Sequence, residues 1–342
     1  MSVRSRSRSD GPPLPEGRGG VSGAVVEGLR KAGPLPGEQA VAGGDPFGDD
    51  LQLALYLCYE LHYRGFAGVD DDWEWDPELL RLRAALEWPF LEALRAVATR
   101  HKGAEEALDE LLVEPPEGEG TGVSHFLADE GELWQVREYA VQRSLYHLKE
   151  ADPHAWVLPR LWGRAKAGMA AVEYDEFGGG RADRVHARLF ADLMTDLGLD
   201  PAYGRYVDAA GAEALALVNL MSLLGLHRAL RGALVGHFAT VEITSSPASR
   251  RLATAMRRTG AGTAAAHFYD EHVEADAVHE QVVRQEVVSG LLEQEPHLDG
   301  DVAFGVDATS YLEDALAARL LGAWRDGRSS LRTPLTSITS TV

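Results

Sequence analysis

His267-Phe268-Tyr269-Asp270-Glu271-His272-Val273-Glu274-Ala275-Asp276-Ala277-Val278-His279-Glu280 is the stretch on which the reading of this chain turns. It lies in a run from Thr263 to Ser289 that contains neither Gly nor Pro, so nothing in it interrupts a helix. At about 100° per residue, His272, Asp276 and His279 fall within roughly 60° of arc and share one helical face. Imidazole and carboxylate suit Fe, Mn and Zn, and a helix holds their separation better than a loop does. The same stripe, with Glu271, Glu274 and Glu280 beside it, would also serve as a solvated polar face. A second set of ligands must therefore be sought elsewhere in the chain.

Composition narrows the chemistry. The 342 residues are 45% hydrophobic with 7 Trp, enough for a substantial core. A net charge of -20 and a pI near 5.0 argue against nucleic acid or an anionic membrane as partner, since both need a basic footprint. The single Cys58 excludes an intramolecular disulfide and a Cys-rich zinc or iron-sulfur site, which leaves His and carboxylate as metal ligands. No run of eighteen apolar residues occurs, and the Arg-Ser repeats at the start have no apolar segment behind them. The expected setting is cytoplasmic.

Residues 1–45, rich in Gly, Pro, Ser and Arg, read as a disordered leader. From Asp49 an apolar stripe of Leu51, Leu53, Ala54, Leu57, Cys58 and Leu61 predicts a helix, and Pro77 opens another from Glu78 to about Arg100. Helical patterns continue at Ser124–Asp152 (one helix or a pair), Trp156–Phe177, Arg184–Leu197 and Ala212–Leu224. They resume in a run to Arg258 that Pro247 could break, and again at Ala308–Arg325. Period-2 alternation is nearly absent, so the fold class is all-α. The organisation expected is a leader (1–45), an N-terminal helical segment packed on the core (46–123), a main domain (124–328) and a flexible tail (329–342).

Two further constellations supply ligands. In Glu173-Tyr174-Asp175-Glu176-Phe177-Gly178-Gly179-Gly180, Glu176 ends one helix, and His186, ten residues on, begins the next. The glycine break lets both side chains point inward, as carboxylates and His do in metal-binding bundles. A carboxylate at the end of the preceding helix, Glu150, is the third candidate, with Glu138 and Glu173 as alternatives at helical positions.

Together, Glu150, the Asp175-Glu176-Phe-Gly-Gly-Gly…His186 segment and the His272-x3-Asp276-x2-His279 helix resemble the ligand pattern of the haem-oxygenase-like diiron oxidases, the iron-containing redox enzymes. Ser144–His154 and Gly236–Ser246 are similar to segments of the family's actinobacterial branch. The resemblance covers about residues 124 to 328 and implies a seven-helix haem-oxygenase-like core that binds two non-haem iron ions instead of haem. Carried over, it implies one iron held by Glu150, His186 and His279 and a second held by Glu176, His272 and Asp276. Glu173, Glu242, Tyr146 and Tyr269 are then second-layer or substrate contacts, each also readable as an ordinary core residue. The implied activity uses O2 as cosubstrate and an external electron donor on a small molecule: N-oxygenation, desaturation with carbon-carbon cleavage, or oxidative decarboxylation, in specialised metabolism. The chain could act as a homodimer.

Rival readings have their own marks. A ligand-binding or scaffold protein of the same fold without turnover would not need all six ligands. A haem oxygenase would need one early proximal His, and only His62, in Glu60-Leu-His-Tyr-Arg-Gly65, is available. A metal-free enzyme of this fold would be marked by a catalytic Cys or a substrate-binding Arg cluster, and Cys58 sits on an apolar stripe that suits a core residue.

Overall fold

The stretch read as a leader contains Val25, Val26 and Leu29, three apolar residues on one helical face, and a computed structural model of the protein shows what they do. The structure describes residues 11–115 and 120–335. Helix α1 (Gly20–Lys31) buries those three side chains against α2 (Asp49–Glu60). Asp50 of α2 caps it, accepting the backbone N–H of Val21 at 3.0 Å and of Ser22 at 2.7 Å. Arg18 is buried and donates to Asp49 and to the carbonyl oxygens of Val207 and Ala210. The expected disordered leader is therefore corrected for residues 11–45, while 1–10 lie outside the described residues. Gly and Pro there punctuate a helix short enough to fit between them.

Helix α2 is buried from Leu51 through Glu60. Helix α3 (Pro77–Val97) opens as the Pro77 signal predicts, on Asp76, whose carboxylate accepts from Glu78 and Leu79. After α4 (Ala104–Leu111), the Ser124–Asp152 pattern resolves into the pair α5 (Val123–Asp129) and α6 (Leu133–His147), which a capping box at Glu132 and Gln135 separates. A single turn, α7 (Asp152–Ala155), leads to α8 (Gly163–Glu176), α9 (His186–Asp196) and α10 (Ala212–Leu226). Helix α11 (Arg231–Thr259) runs unbroken through Pro247, because Leu252, Ala253, Ala255 and Met256 beyond it are buried and hold the continuation in place. Helix α12 (Thr263–Val282) widens into a π-helical turn at Val283–Val288 and continues as α13 (Ser289–Gln294). Helix α14 (Asp299–Arg325) starts earlier than its apolar pattern predicts.

The described residues hold no strand and form the expected all-α bundle. No single helix among them is long and apolar enough to cross a membrane. Helix α11 is the axis, packed on α12 and α14. Its crossing with α14 is close because both partners are glycines at the contact. A methyl group on Gly236 would run into the Val302 carbonyl, and one on Gly305 into that of Ala233. The expected flexible tail is also corrected: Ser330 and Leu331 are buried, and Glu138 accepts from the Ser330 N–H at 2.8 Å, its hydroxyl at 2.7 Å and the Trp324 indole at 2.9 Å. Residues 336–342 lie outside the described ones.

Gly236→Ala should lower the unfolding free energy by about 3 kcal/mol, since the clash is with backbone that cannot rotate away. Gly322→Ala, on the same kind of helix with open space around it, should raise it by about 0.5–1 kcal/mol. Urea titrations of the two variants check both signs.

Candidate metal centre

Glu150 follows α6 in a tight turn in which Ala151 takes φ 74°, a conformation that costs an L residue about 1–3 kcal/mol. Its neighbours hold the turn. The fully buried Lys149 ammonium donates to Glu60 at 2.8 Å and lies 4.1 Å from the centre of the Tyr63 ring. Arg64 donates to the Leu148 carbonyl at 3.0 Å. The N-terminal layer thus clamps the residues on the N-terminal side of Glu150. His147, one turn back, sets the carboxylate itself, with Nδ1 2.7 Å from Oε1.

Glu176 ends α8, and Gly178, Gly179 and Gly180 then take φ of 72°, 61° and 79°, which glycine alone adopts freely. The reversal is tight: a Cβ on Gly178 would stand 2.7 Å from the Arg184 carbonyl carbon and the Val185 nitrogen. It returns the chain so that His186 Nδ1 comes 2.7 Å from Glu176 Oε2. On α12, His272, Asp276 and His279 do share one buried face. Glu242 of α11 meets it, 3.2 Å from His279 Nδ1.

All six expected ligands are buried and come together, in two groups joined by one carboxylate. Ligand atoms of Glu150, Glu176, His186 and His272 lie within 4.8 Å of one another, and so do those of Glu176, Glu242, Asp276 and His279. The partition differs from the one the resemblance implied. His272 stands with Glu150 and His186, and His279 with Asp276, because four residues along α12 is about 6 Å of rise. Glu176 belongs to both groups, and Glu242, expected only as a second-layer residue, is a full member of the second. Of the alternatives to Glu150, Glu138 is consumed by the C-terminal segment. Glu173 lies buried with neither oxygen hydrogen-bonded and belongs to neither group.

The donor atoms fit a metal. Glu150 Oε2, His272 Nε2 and Asp276 Oδ2 are buried without a hydrogen-bond partner, and buried polar atoms of this kind call for an ion or a water to complete them. The rings are pre-oriented from behind. His272 Nδ1–H donates to the Phe268 carbonyl at 2.7 Å, leaving Nε2 for the first group. His279 Nε2–H faces Asp175 at 3.3 Å, leaving Nδ1 for the second. The carboxylate of Asp175, next to Glu176 in the quoted motif, is a partner the sequence reading did not single out.

Without an ion, the centre is electrostatically strained. Burial lowers the His272 and His279 imidazoliums, but the carboxylates that crowd them, Glu150 beside His272 and Asp276 and Glu242 beside His279, outweigh it and raise them to about 10 and about 11. Burial would raise Glu150, but charge and a hydrogen bond from His147, then the nearby charge of His272, hold it well below the usual carboxylate range. Burial, with further carboxylates near, pushes Glu242 up to about 8 and Glu173 up to about 9. A cavity of about 440 Å³ opens beside the centre, lined by Tyr146, His154, Phe268 and Tyr269 along with Glu150, His272 and Asp276. Both expected contact tyrosines, Tyr146 and Tyr269, therefore face it. His62 is not a free axial ligand, since Glu74 and Arg83 occupy its two nitrogens at 3.0 and 2.5 Å. Burial raises the Cys58 thiol to about 12, which suits a core residue.

A family model described as iron-containing redox enzyme matches residues 137–314, just over half of the 342. The chain belongs to this family. Every residue of both ligand groups in this iron-containing redox enzyme lies inside the matched region, and the family's haem-oxygenase-like helical fold is the one seen here. Glu60, which anchors Lys149, lies outside it. No curated protein is similar enough to the chain to count as a match.

The pKa shifts carry a sign. His272 and His279 bind protons more tightly folded than unfolded, so their contribution is complete below about pH 6.5 and is lost as pH rises towards their folded values. Glu242 and Glu173, also raised, act in the same direction from about pH 4.5 upward. The chelated chain should lose melting temperature between pH 6.5 and 10. With Fe(II) under anaerobic conditions that decline should flatten, because the ion takes the proton's place; a parallel decline in both states would disconnect the centre from metal.

Proposed function

We propose that the chain holds two iron ions and uses them with O2 to oxidise a small organic molecule. One ion would sit among Glu150, His186 and His272, the other among Glu242, Asp276 and His279, with Glu176 between them. The observation that carries this is the convergence of seven buried His and carboxylate side chains in two adjoining groups that share Glu176, in a chain of the iron-containing redox family.

Charge supports the number of ions. Glu150, Glu176, Glu242 and Asp276 are four carboxylates, and two divalent cations balance them where one would not. Two ferrous ions held there would supply O2 binding and electrons for its reduction. The chain's part is to hold the ligands rigidly, to keep bulk water from them by burial, and to seat the substrate in the adjoining cavity. Electrons for repeated turnover come from an external donor. The reaction belongs to one of three kinds, N-oxygenation, desaturation with carbon-carbon cleavage, or oxidative decarboxylation, and a cytoplasmic setting in specialised metabolism is part of the same reading.

Anaerobic titration of the full chain with Fe(II), followed by metal counting, should give about two ions per chain, and at a hundredfold excess over Kd each would stabilise the fold by about 2.7 kcal/mol. His272→Ala should lower the count, and optical changes on O2 exposure should disappear with it. Uptake that the substitution leaves unchanged would overturn the assignment.

A further inference from the structure

One wall of the cavity is a line of hydrogen bonds whose direction can be read. Thr309, on α14, donates its hydroxyl proton to the Gly305 carbonyl at 2.7 Å. A hydroxyl has one proton, so towards His237 Nδ1, 2.8 Å away, Thr309 only accepts. His237 therefore carries its proton on Nδ1. Burial takes His237 down to about 4, and burial together with His237 takes His154 well below the ordinary range, so each ring is neutral with a single N–H. His237 Nε2 is then a bare lone pair, and the proton between it and His154 Nε2, 3.1 Å away, belongs to His154. That leaves His154 Nδ1 bare, with the Tyr146 hydroxyl as its donor at 3.4 Å, the longest member of the line.

The proton order thus runs one way, from Tyr146 through His154, His237 and Thr309 to a helix carbonyl. Tyr146 lines the cavity with its only proton committed to His154 in the same wall, and what it offers a bound molecule is lone pairs. The charged lining leans the same way. Both arms of Arg143 are taken by Glu313, at 2.7 and 2.6 Å, and Arg251 donates to Ser124 and Glu114 at 3.0 and 3.3 Å. The exposed Asp314 adds a further carboxylate.

We propose that Tyr146 is the specificity-determining residue of the cavity, an acceptor-only phenol that binds the N–H of a protonated amine. His154, His237 and Thr309 are the positioning residues that hold its proton away. The inference rests on the oxidase reading and names its substrate class as aliphatic amines, in preference to carboxylates.

Thr309→Val is the discriminating variant, because it changes no shape and does not touch Tyr146. With no acceptor at Thr309, His237 moves its proton to Nε2, His154 to Nδ1, and the Tyr146 hydroxyl turns towards the cavity. Hexylamine and hexanoate are titrated calorimetrically into the full chain, Fe(II)-loaded under anaerobic conditions and metal-free, while histidine 15N NMR reads the tautomers of His154 and His237. The native chain should prefer hexylamine about tenfold, the worth of one good hydrogen bond. Tyr146→Phe and Thr309→Val should each remove that preference, and Thr309→Val should exchange both tautomers. Tighter hexanoate binding by the native chain would overturn the proposal and shift recognition to the unpartnered hydroxyl of Tyr269. Unchanged selectivity with exchanged tautomers would overturn it too. A chain that takes up no iron sinks the oxidase reading, while the metal-free titration and the tautomers still decide this one.

Discussion

Mutual repulsion among buried carboxylates is the constraint around which this molecule is built. Glu150, Glu176, Glu242 and Asp276 are all at most 6% exposed, and such a cluster is strongly unfavourable in a low-dielectric interior unless cations balance it. Part of the balance comes from His272 and His279, whose raised affinity for protons is the metal-free answer to the same problem. Two divalent ions balance it better, and the backs of the rings are arranged for that outcome. The Phe268 carbonyl and Asp175 hold the N–H sides away, so the lone-pair sides converge.

Holding such a centre together requires rigid support, and the support comes from several layers. Lys149 and Glu60 form a fully buried ion pair between the α6–α7 turn and the N-terminal layer. Breaking one member of such a pair is costly, so the turn that carries Glu150 keeps its strained Ala151. The π-helical turn after α12 is packed on α8, where Gly168 gives it room. Close approach at Gly236 and Gly305 sets the distance between α11 and α14, and with it the His237–Thr309 contact. The segment before residue 137 is thus part of the centre's scaffold, although the family match begins after it.

Much of the centre was legible because its motifs are local. His272, Asp276 and His279 lie within about two turns of one helix, and Glu176 and His186 flank one glycine turn, so spacing alone could bring them together. Glu242 was legible only as a second-layer candidate, and only the packing of α11 on α12 brings it into the second group. The leader and tail were misread for a related reason. Val25, Val26 and Leu29, like Ser330 and Leu331, gain order from partners far along the chain, Asp50 and Glu138 among them, and composition records no such partners.

The sequence by itself determined the all-α class, the His and carboxylate ligand types and their grouping within each helix, because a helix fixes spacing at 3.6 residues per turn whatever surrounds it. Tertiary structure alone decided that His272 joins Glu150 and His186, that Glu176 is shared, and that Glu242 is a full member. It also set the one-way proton order from Tyr146. Those relations run between helices, where distance is set by side-chain packing and crossing geometry, and no spacing along the chain encodes them.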